Sequence, residues 1–471
     1  MLVKSPLGWS RNGCVSSAVC AIFFLLGVGL AGSPAEAQSD PAAMAPWQAP
    51  HNSWSESQPS SQAYYSRGPS VARPEDSVEM AEFQGEFPGD AGPCGMGDGP
   101  CNIGCDSCRE PSCFLQPCDR FWFRSEYLMW WGKSVDLPPL ATTSPLGTLQ
   151  DQAGVLGQPG TSVLFGGGNG DLGLRSGGRF TLGGWLDPCK DVGFEATYLF
   201  LGNHAVHYNQ SSQGEMILAR PFRNAVSGLE DAALIAFPNV QTGSINIRAG
   251  SELESVDLLF QKTVFQRCDR RLQFLYGYRY GRLAEDIAID ESSTYTSQVG
   301  TIPVGTVMQT SDLFDVRNEF HGAEIGFSTE VRYCRWTLGL LAKLALGSTR
   351  SRATIDGSTV VAVPGQPSVT YDGGLLALPT NMGHYQQNNF SVMPELGVTL
   401  GYDLTPRLKA TFGYTFLYWS QVARPADQID LDINTSQFPP GDLSGIASPE
   451  MSFVTGDFWA QGLSFGLDYR F

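Results

Sequence analysis

The chain has 471 residues and a formal net charge of -17, from 30 Lys and Arg against 47 Asp and Glu, so no clustered cationic surface for nucleic acid is expected. Charged residues reach only 16%, aromatics 11%, and glycines number 54, a balance foreign to a soluble acidic enzyme and ordinary for a barrel with an apolar outside and a small-residue inside. Beyond residue 37 no run of about 18 apolar residues recurs, which excludes helical membrane spans but not strands, which need only about 9 to 11 residues each.

At the N-terminus, Lys4 and Arg11 precede the apolar run VSSAVCAIFFLLGVGL (15–30), and Ala35-Glu36-Ala37 supplies an A-x-A cleavage pattern. Residues 1–37 therefore read as a secretory signal peptide, with an uncleaved anchor as the alternative. Residues 38–118 are rich in Pro, Ser, Gln, Gly and Ala and cannot bury enough apolar surface to order themselves; they read as a periplasmic linker. Cys94, Cys101, Cys105, Cys108, Cys113 and Cys118 crowd the end of that linker. In an exported chain they are expected to form disulfides, in an order that spacing cannot rank. Reduced or interchain thiols are one alternative and metal another, but Cys105-Asp106-Ser107-Cys108 is a single knuckle where structural zinc usually takes two.

From Asp119 to Phe471 the texture becomes period two. Strands are expected at about 120–132, 178–187, 191–202, 244–260, 271–284, 318–333, 335–347, 390–403, 407–420 and 459–471. Connections alternate: long gaps at 133–177, 203–243, 285–317, 348–389 and 421–458, and short turns such as Asp187-Pro188-Cys189-Lys190 and Asp403-Leu404-Thr405-Pro406-Arg407. This sorting predicts an all-β fold, a closed antiparallel transmembrane β-barrel of about ten to twelve strands, with long extracellular loops, short periplasmic turns and residence in the outer membrane. One strand sets Leu408, Ala410, Phe412, Tyr414, Phe416 and Tyr418 against Lys409, Thr411, Gly413 and Thr415; the first row is expected to face lipid. Phe121, Trp131, Tyr402, Tyr418 and Phe471 are expected at the interfaces. Pro394 and a change of apolar phase between Leu253 and Val256 read as a bulge or a shifted boundary.

Catalytic motifs are weak. Gly462-Leu463-Ser464-Phe465-Gly466 spells a nucleophile elbow, yet only five residues follow and none is His. Its period of two instead puts Leu463, Phe465, Leu467, Tyr469 and Phe471 on one face, the pattern by which outer-membrane barrels address the assembly machinery. A Ser464 pairing with His321 or His384 is the remaining hydrolase reading. Gly168-Asn169-Gly170-Asp171-Leu172-Gly173 matches a dinucleotide fingerprint without the helix that must follow. His204 and His207 lie in an expected loop without further metal ligands. No catalytic residue, metal or cofactor is assigned, and the expected partners are outer-membrane lipid and the assembly machinery.

By phase, Arg124, Glu126, Arg179, Glu195, Arg279, Glu324, Glu330, Arg332, Lys343, Glu395, Lys409, Asp468 and Arg470 project into the lumen. Such charges can pair across a narrow barrel and fill it, or line a path that filters solutes by charge. With about ten to twelve strands a constricted or plugged lumen is expected, since open porins use 16 to 18.

At FWFRSEYLMWWGKSVDLPPLATTSP (121–145) the sequence begins to resemble the putative beta-barrel porin-7 family. The likeness continues through TSVLFGG, RSGGRFTLGGWLDPC (175–189), ARPFRNA (219–225), LEDAALIAFPN (229–239) and LYGYRYGRL (275–283) to the aromatic last strand. The resemblance implies an outer-membrane barrel with porin activity, and brings no ligand or catalytic residues. Function is thus expected to be passive, charge-filtered passage of small solutes, with the lumen charges setting selectivity. The runner-up is a closed barrel with a structural or adhesive role carried by its loops, and a barrel-borne hydrolase is third.

Overall fold

The computed structural model describes residues 119–471, apart from 171–172, 188–189 and 268. The expected signal peptide, the expected linker and its six cysteines lie outside the described residues. Ten antiparallel strands form the frame: β1 (Phe121–Gly132), β2 (Arg175–Trp185), β3 (Val192–Ser212), β4 (Gln241–Gln266), β5 (Arg270–Tyr295), β6 (Val307–Tyr333), β7 (Trp336–Ala362), β8 (Gly383–Asp403), β9 (Leu408–Ala423) and β10 (Thr455–Arg470). Each pairs with its chain neighbours, and β10 pairs with β1, so the sheet closes into a ring. At the seam Phe121 and Phe471 exchange backbone hydrogen bonds of 3.0 and 2.9 Å, leaving no edge there.

The turn ends of the strands fall close to the sequence expectation, whereas the loop ends run much further. β5 continues to Tyr295, β6 starts at Val307, β7 continues to Ala362 and β8 starts at Gly383, so most of the expected gaps 285–317 and 348–389 is strand. The reason is a reversal of hydrophobic phase within single strands. Near the turns, apolar residues point outward: Trp336, Leu338, Leu340, Leu344 and Leu346 on β7 and Ile325 and Phe327 on β6 are all exposed. Near the loops the same strands turn their apolar residues inward: Phe314 and Phe320 on β6 and Ile355 on β7 are fully buried. A strand with lipid outside at one end and water outside at the other must switch faces, and a window looking for one apolar face stops at the switch.

This also accounts for the irregularity at Leu253 and Val256. β4 keeps its alternation through this stretch, with Leu253 inside and Val256 outside; the register shift is opposite Ser251 and Leu253, where β3 carries the extra residue. Pro394 has its own place. β8 pairs with β9 only from Glu395 onward, so the proline, which has no N–H to give, stands where that ladder stops.

The outward apolar row on β7, Trp336 to Leu346, spans ten residue steps, roughly 33 Å of strand at about 3.3 Å each, or about 25 Å along the axis at a tilt of about 40°. Trp336 packs on Tyr402 with ring centroids 4.8 Å apart and Phe121 on Phe471 at 5.9 Å, an aromatic girdle at the turn end. The last strand is continuous, and Leu463, Phe465, Leu467, Tyr469 and Phe471 take its outer face while Ser464 is buried inside. The glycines of the elbow motif serve packing. A Cβ on Gly462 would lie 2.3 Å from the Met129 carbonyl oxygen, and one on Gly466 2.7 Å from Glu126 Cγ. Deleting Phe471 is expected to cut the yield of membrane-inserted protein several-fold, with Ser464→Ala near wild type. Equal insertion of the deletion in a vesicle-assembly assay would refute the role given to the terminal row.

Beyond the ring, the long connections fold together. Strands Ala141–Thr143, Ser162–Phe165, Leu218–Asn224, Glu230–Ala236 and Asp432–Ile433 build a five-stranded sheet from three different connections. Leu140, Leu218, Phe222, Ile235 and Ile433 from it join Ile245, Ile247, Ile287, Ile289, Phe314 and Ile355 of the ring and Leu375 to Leu378 in one buried cluster. The connections thus fill the loop end of the ring.

Candidate functional site

The interior is stratified, and the order can be followed residue by residue along each strand. Nearest the turns, Arg124 pairs with Asp468 at 3.3 Å, Arg470 lies 3.8 Å from Asp468, and Arg332 pairs with Asp403.

Above them sits a buried network. The Arg179 guanidinium grips Glu126 with two bonds of 2.6 and 2.8 Å and lies 3.7 Å from Glu395. Arg279 donates twice to Asp257, both at 2.6 Å, pairs with Glu395, and lies 3.3 Å from Glu324. Lys343 reaches Asp257 at 2.6 Å, Glu395 at 3.0 Å and Glu324 at 3.5 Å. β5 and β8 are not neighbours in the ring, so the Arg279–Glu395 pair crosses the lumen. Burial makes this arrangement mutually dependent: each charge is tolerable only while its partners are present. The three carboxylates Asp257, Glu324 and Glu395 converge closely enough for a metal ion, but Lys343 and Arg279 already occupy the space between them.

One step further toward the loops comes an apolar layer. Glu126 is followed inward by Leu128, Asp257 is preceded by Leu253, Arg279 followed by Leu283, Glu324 preceded by Phe320, Lys343 followed by Ala345, and Glu395 preceded by Met393. Together with Trp130, Leu199, Leu201, Leu417, Trp419, Phe458 and others they form one cluster drawn from every ring strand except β2. Trp419 and Phe320 meet edge to face at 6.0 Å, and Trp419 Nε1 donates to Thr349 Oγ1 at 2.8 Å. Just above, fully buried Asn318 on β6 crosses to β9, donating to the Ala423 carbonyl at 2.8 Å and accepting from its N–H at 2.9 Å.

Two arginines then anchor the connections to the wall. Arg424 makes a bidentate pair with Glu285, at 2.9 and 2.8 Å, and donates to the Ser134 carbonyl at 2.7 Å. Arg220 pairs with Asp312 at 2.8 Å, and Asp312 Oδ1 also accepts the backbone N–H groups of Leu375, Leu376 and Ala377 at 3.0, 3.0 and 2.8 Å. Burial pushes the Glu291 carboxyl beside Arg220 above the usual carboxylate range.

Of the thirteen charges expected in the lumen, Glu126, Arg179, Arg279, Glu324, Lys343 and Glu395 come together in the network, and Arg124, Arg332, Asp468 and Arg470 pair near the turns. Among the described residues, Glu195, Glu330 and Lys409 make no ion pair. Sequence reasoning missed Asp257, the acceptor at the centre, because the apparent phase change at Leu253 hid which face it took. Asp403, read as a turn residue, closes β8 with its carboxylate inside. Arg175, Arg220, Glu285, Asp312 and Arg424 were missed for a common reason: all fell in segments read as loops. Ser464 and the two histidines are on opposite sides of the wall. His321 is exposed and hydrogen-bonded to the Tyr278 hydroxyl at 2.5 Å, and exposed His384 lies 3.1 Å from Thr354 Oγ1. Outside the lumen, a cavity of about 580 Å³ opens on the polar outer face, lined by Asn209, Ser211, Asn246, Asp290 and Ser311.

A family model described as putative beta barrel porin-7 matches residues 122–471. The chain belongs to that family. The match covers the ring and its connections. Among solved structures, the chain is similar to the outer membrane protease OmpT from Escherichia coli, at 13% identity and a TM-score of 0.36 over 76% of this chain and 100% of that one. It is also similar to a Pseudomonas aeruginosa FadL homologue, at 9% identity and a TM-score of 0.19 over 75% and 90%. No curated protein sequence matches.

Proposed function

We propose that this barrel resides in the outer membrane, is closed to solutes by its own interior, and acts at the surface through its cap of packed loops in a structural or adhesive role. The observation that carries this is the succession of contacts across the lumen: the Arg279–Glu395 pair, the apolar layer drawn from nine strands, the Asn318 bridge and the cap. An apolar layer backed by paired charges does not offer the continuous polar lining that suits passive diffusion of polar solutes. The outward apolar row of about 25 Å supports residence in a bilayer, and the long connections on one end support an outward-facing cap. Passage of small solutes, with the lumen charges as a filter, would require the network and the apolar layer to separate together.

Planar-bilayer recording decides between these. Folded protein is expected to insert without conductance steps, while vesicle flotation confirms insertion. Regular steps whose cation preference changes on Lys343→Gln would establish the pore instead.

A further inference from the structure

Immediately loopward of the apolar band, the outer face of β5 to β7 carries four arginines. Cross-strand register places them in two rows. The first runs Glu254, Arg282, Glu319, Arg350 across β4 to β7 and alternates in charge. The second sets Arg317 of β6 directly opposite Arg352 of β7. Like charges facing each other on one side of a sheet destabilise it unless something lies between. Only part of the positive charge is answered: Arg352 pairs with Glu319 at 3.1 Å and Arg282 with Glu254 at 3.5 Å, while Arg350 donates to Gln386 at 2.5 Å. Among the described residues, Arg317 makes no ion pair. Of the neighbouring acids, Glu252 stands in the second row itself, two strands from Arg317, while Asp286 and Asp315 lie on the side away from the apolar band, where Asp286 holds Arg248. On the band side stand Tyr278, Tyr280 and His321, then exposed Leu346, Ile325 and Phe390.

We propose that Arg317, Arg350 and Arg352 bind the phosphates of an anionic lipid headgroup in the outer leaflet, whose acyl chains lie along the apolar band below. The proposal rests on the bilayer reading above. A guanidinium pair in cross-strand register presents forked donors to one phosphate, and Arg317, Arg350 and Arg352 stand just loopward of the apolar band, the height of lipid phosphates in the bilayer reading. Tyr278 and Tyr280 occupy the interfacial level that amphipathic rings favour.

The test uses the full chain reconstituted in phosphatidylcholine vesicles and titrated with bis-phosphorylated lipid A, dephosphorylated lipid A or inorganic phosphate. Bis-phosphorylated lipid A is expected to raise the unfolding temperature, the dephosphorylated form to do much less, and inorganic phosphate nothing. Arg317→Gln with Arg352→Gln is expected to weaken the response about 100-fold in lipid concentration, about tenfold for each guanidinium–phosphate hydrogen bond removed. Arg223→Gln, which alters an exposed pair with Asp432 in the cap, is expected to leave it unchanged. If the double variant fails to fold, Arg350→Gln carries the test, with about a tenfold weakening expected. The proposal is overturned by an undiminished response in the arginine variants, by equal effects of both lipid A forms, or by a matching effect of inorganic phosphate, which would mean a site for a free anion. Failure of the wild type to float with vesicles would overturn the bilayer reading itself and this site with it.

Discussion

Arg279→Met is expected to lower the unfolding free energy of the barrel by about 3 to 5 kcal/mol, the range for removing one partner from a buried ion pair. Arg279 faces Asp257, Glu324 and Glu395, all nearly inaccessible to solvent. Without it, only Lys343 and, beside Glu395, Arg179 would answer three carboxylates, in a place where water cannot replace the missing charge. The measurement is urea unfolding of the refolded protein in detergent, followed by the heat-dependent shift in electrophoretic mobility. Combining Arg279→Met with Asp257→Leu is expected to recover part of the stability, because the second change removes the carboxylate that the first left without its main donor. A single-variant effect below about 1 kcal/mol would mean that the network is hydrated and only loosely coupled.

The second large effect lies one layer up. Trp419→Ala with Phe320→Ala removes two fully buried aromatic side chains that meet edge to face at the middle of the lumen. Each truncation of this kind costs about 3 to 5 kcal/mol in a well-packed core. The gap would also breach the apolar layer between the ion-pair network and the cap. The double variant is therefore expected to be markedly less stable and, once inserted, to show conductance steps where none are expected of the wild type. Continued silence from inserted double variant would mean that the charged network or the cap seals the barrel without help from the aromatic layer.

Legibility in the sequence followed physical environment. The turn ends of the strands were legible because one rule holds there: outward residues apolar, inward residues small or charged, as in Leu408 to Tyr418 and in the C-terminal row from Leu463 to Phe471. Most of the lumen charges could be assigned by parity alone, and ten of the thirteen form ion pairs. The loop ends were not legible, since there the rule inverts. Ile287, Phe314 and Ile355 face inward, and the outer positions carry Arg317, Arg350 and Arg352, so the same alternation read as an end of strand. Arg220 and Arg424, which fasten the connections to Asp312 and Glu285, join residues 92 and 139 positions apart, as 312 less 220 and 424 less 285 give; no local pattern carries such a pairing.

By itself the sequence determined an all-β chain of about ten to twelve strands, their sorted connections, the aromatic closing strand and the family. Those properties depend on local alternation and turn chemistry, which each segment carries alone. Only the tertiary structure showed how the interior packs around the lumen charges. That outcome depends on which residues meet across the ring: Arg279 with Glu395, Asn318 with Ala423, and the loops with the inward face of β4 to β7. Closing the sheet into a ring sets those distances, and no local pattern in the sequence carries them.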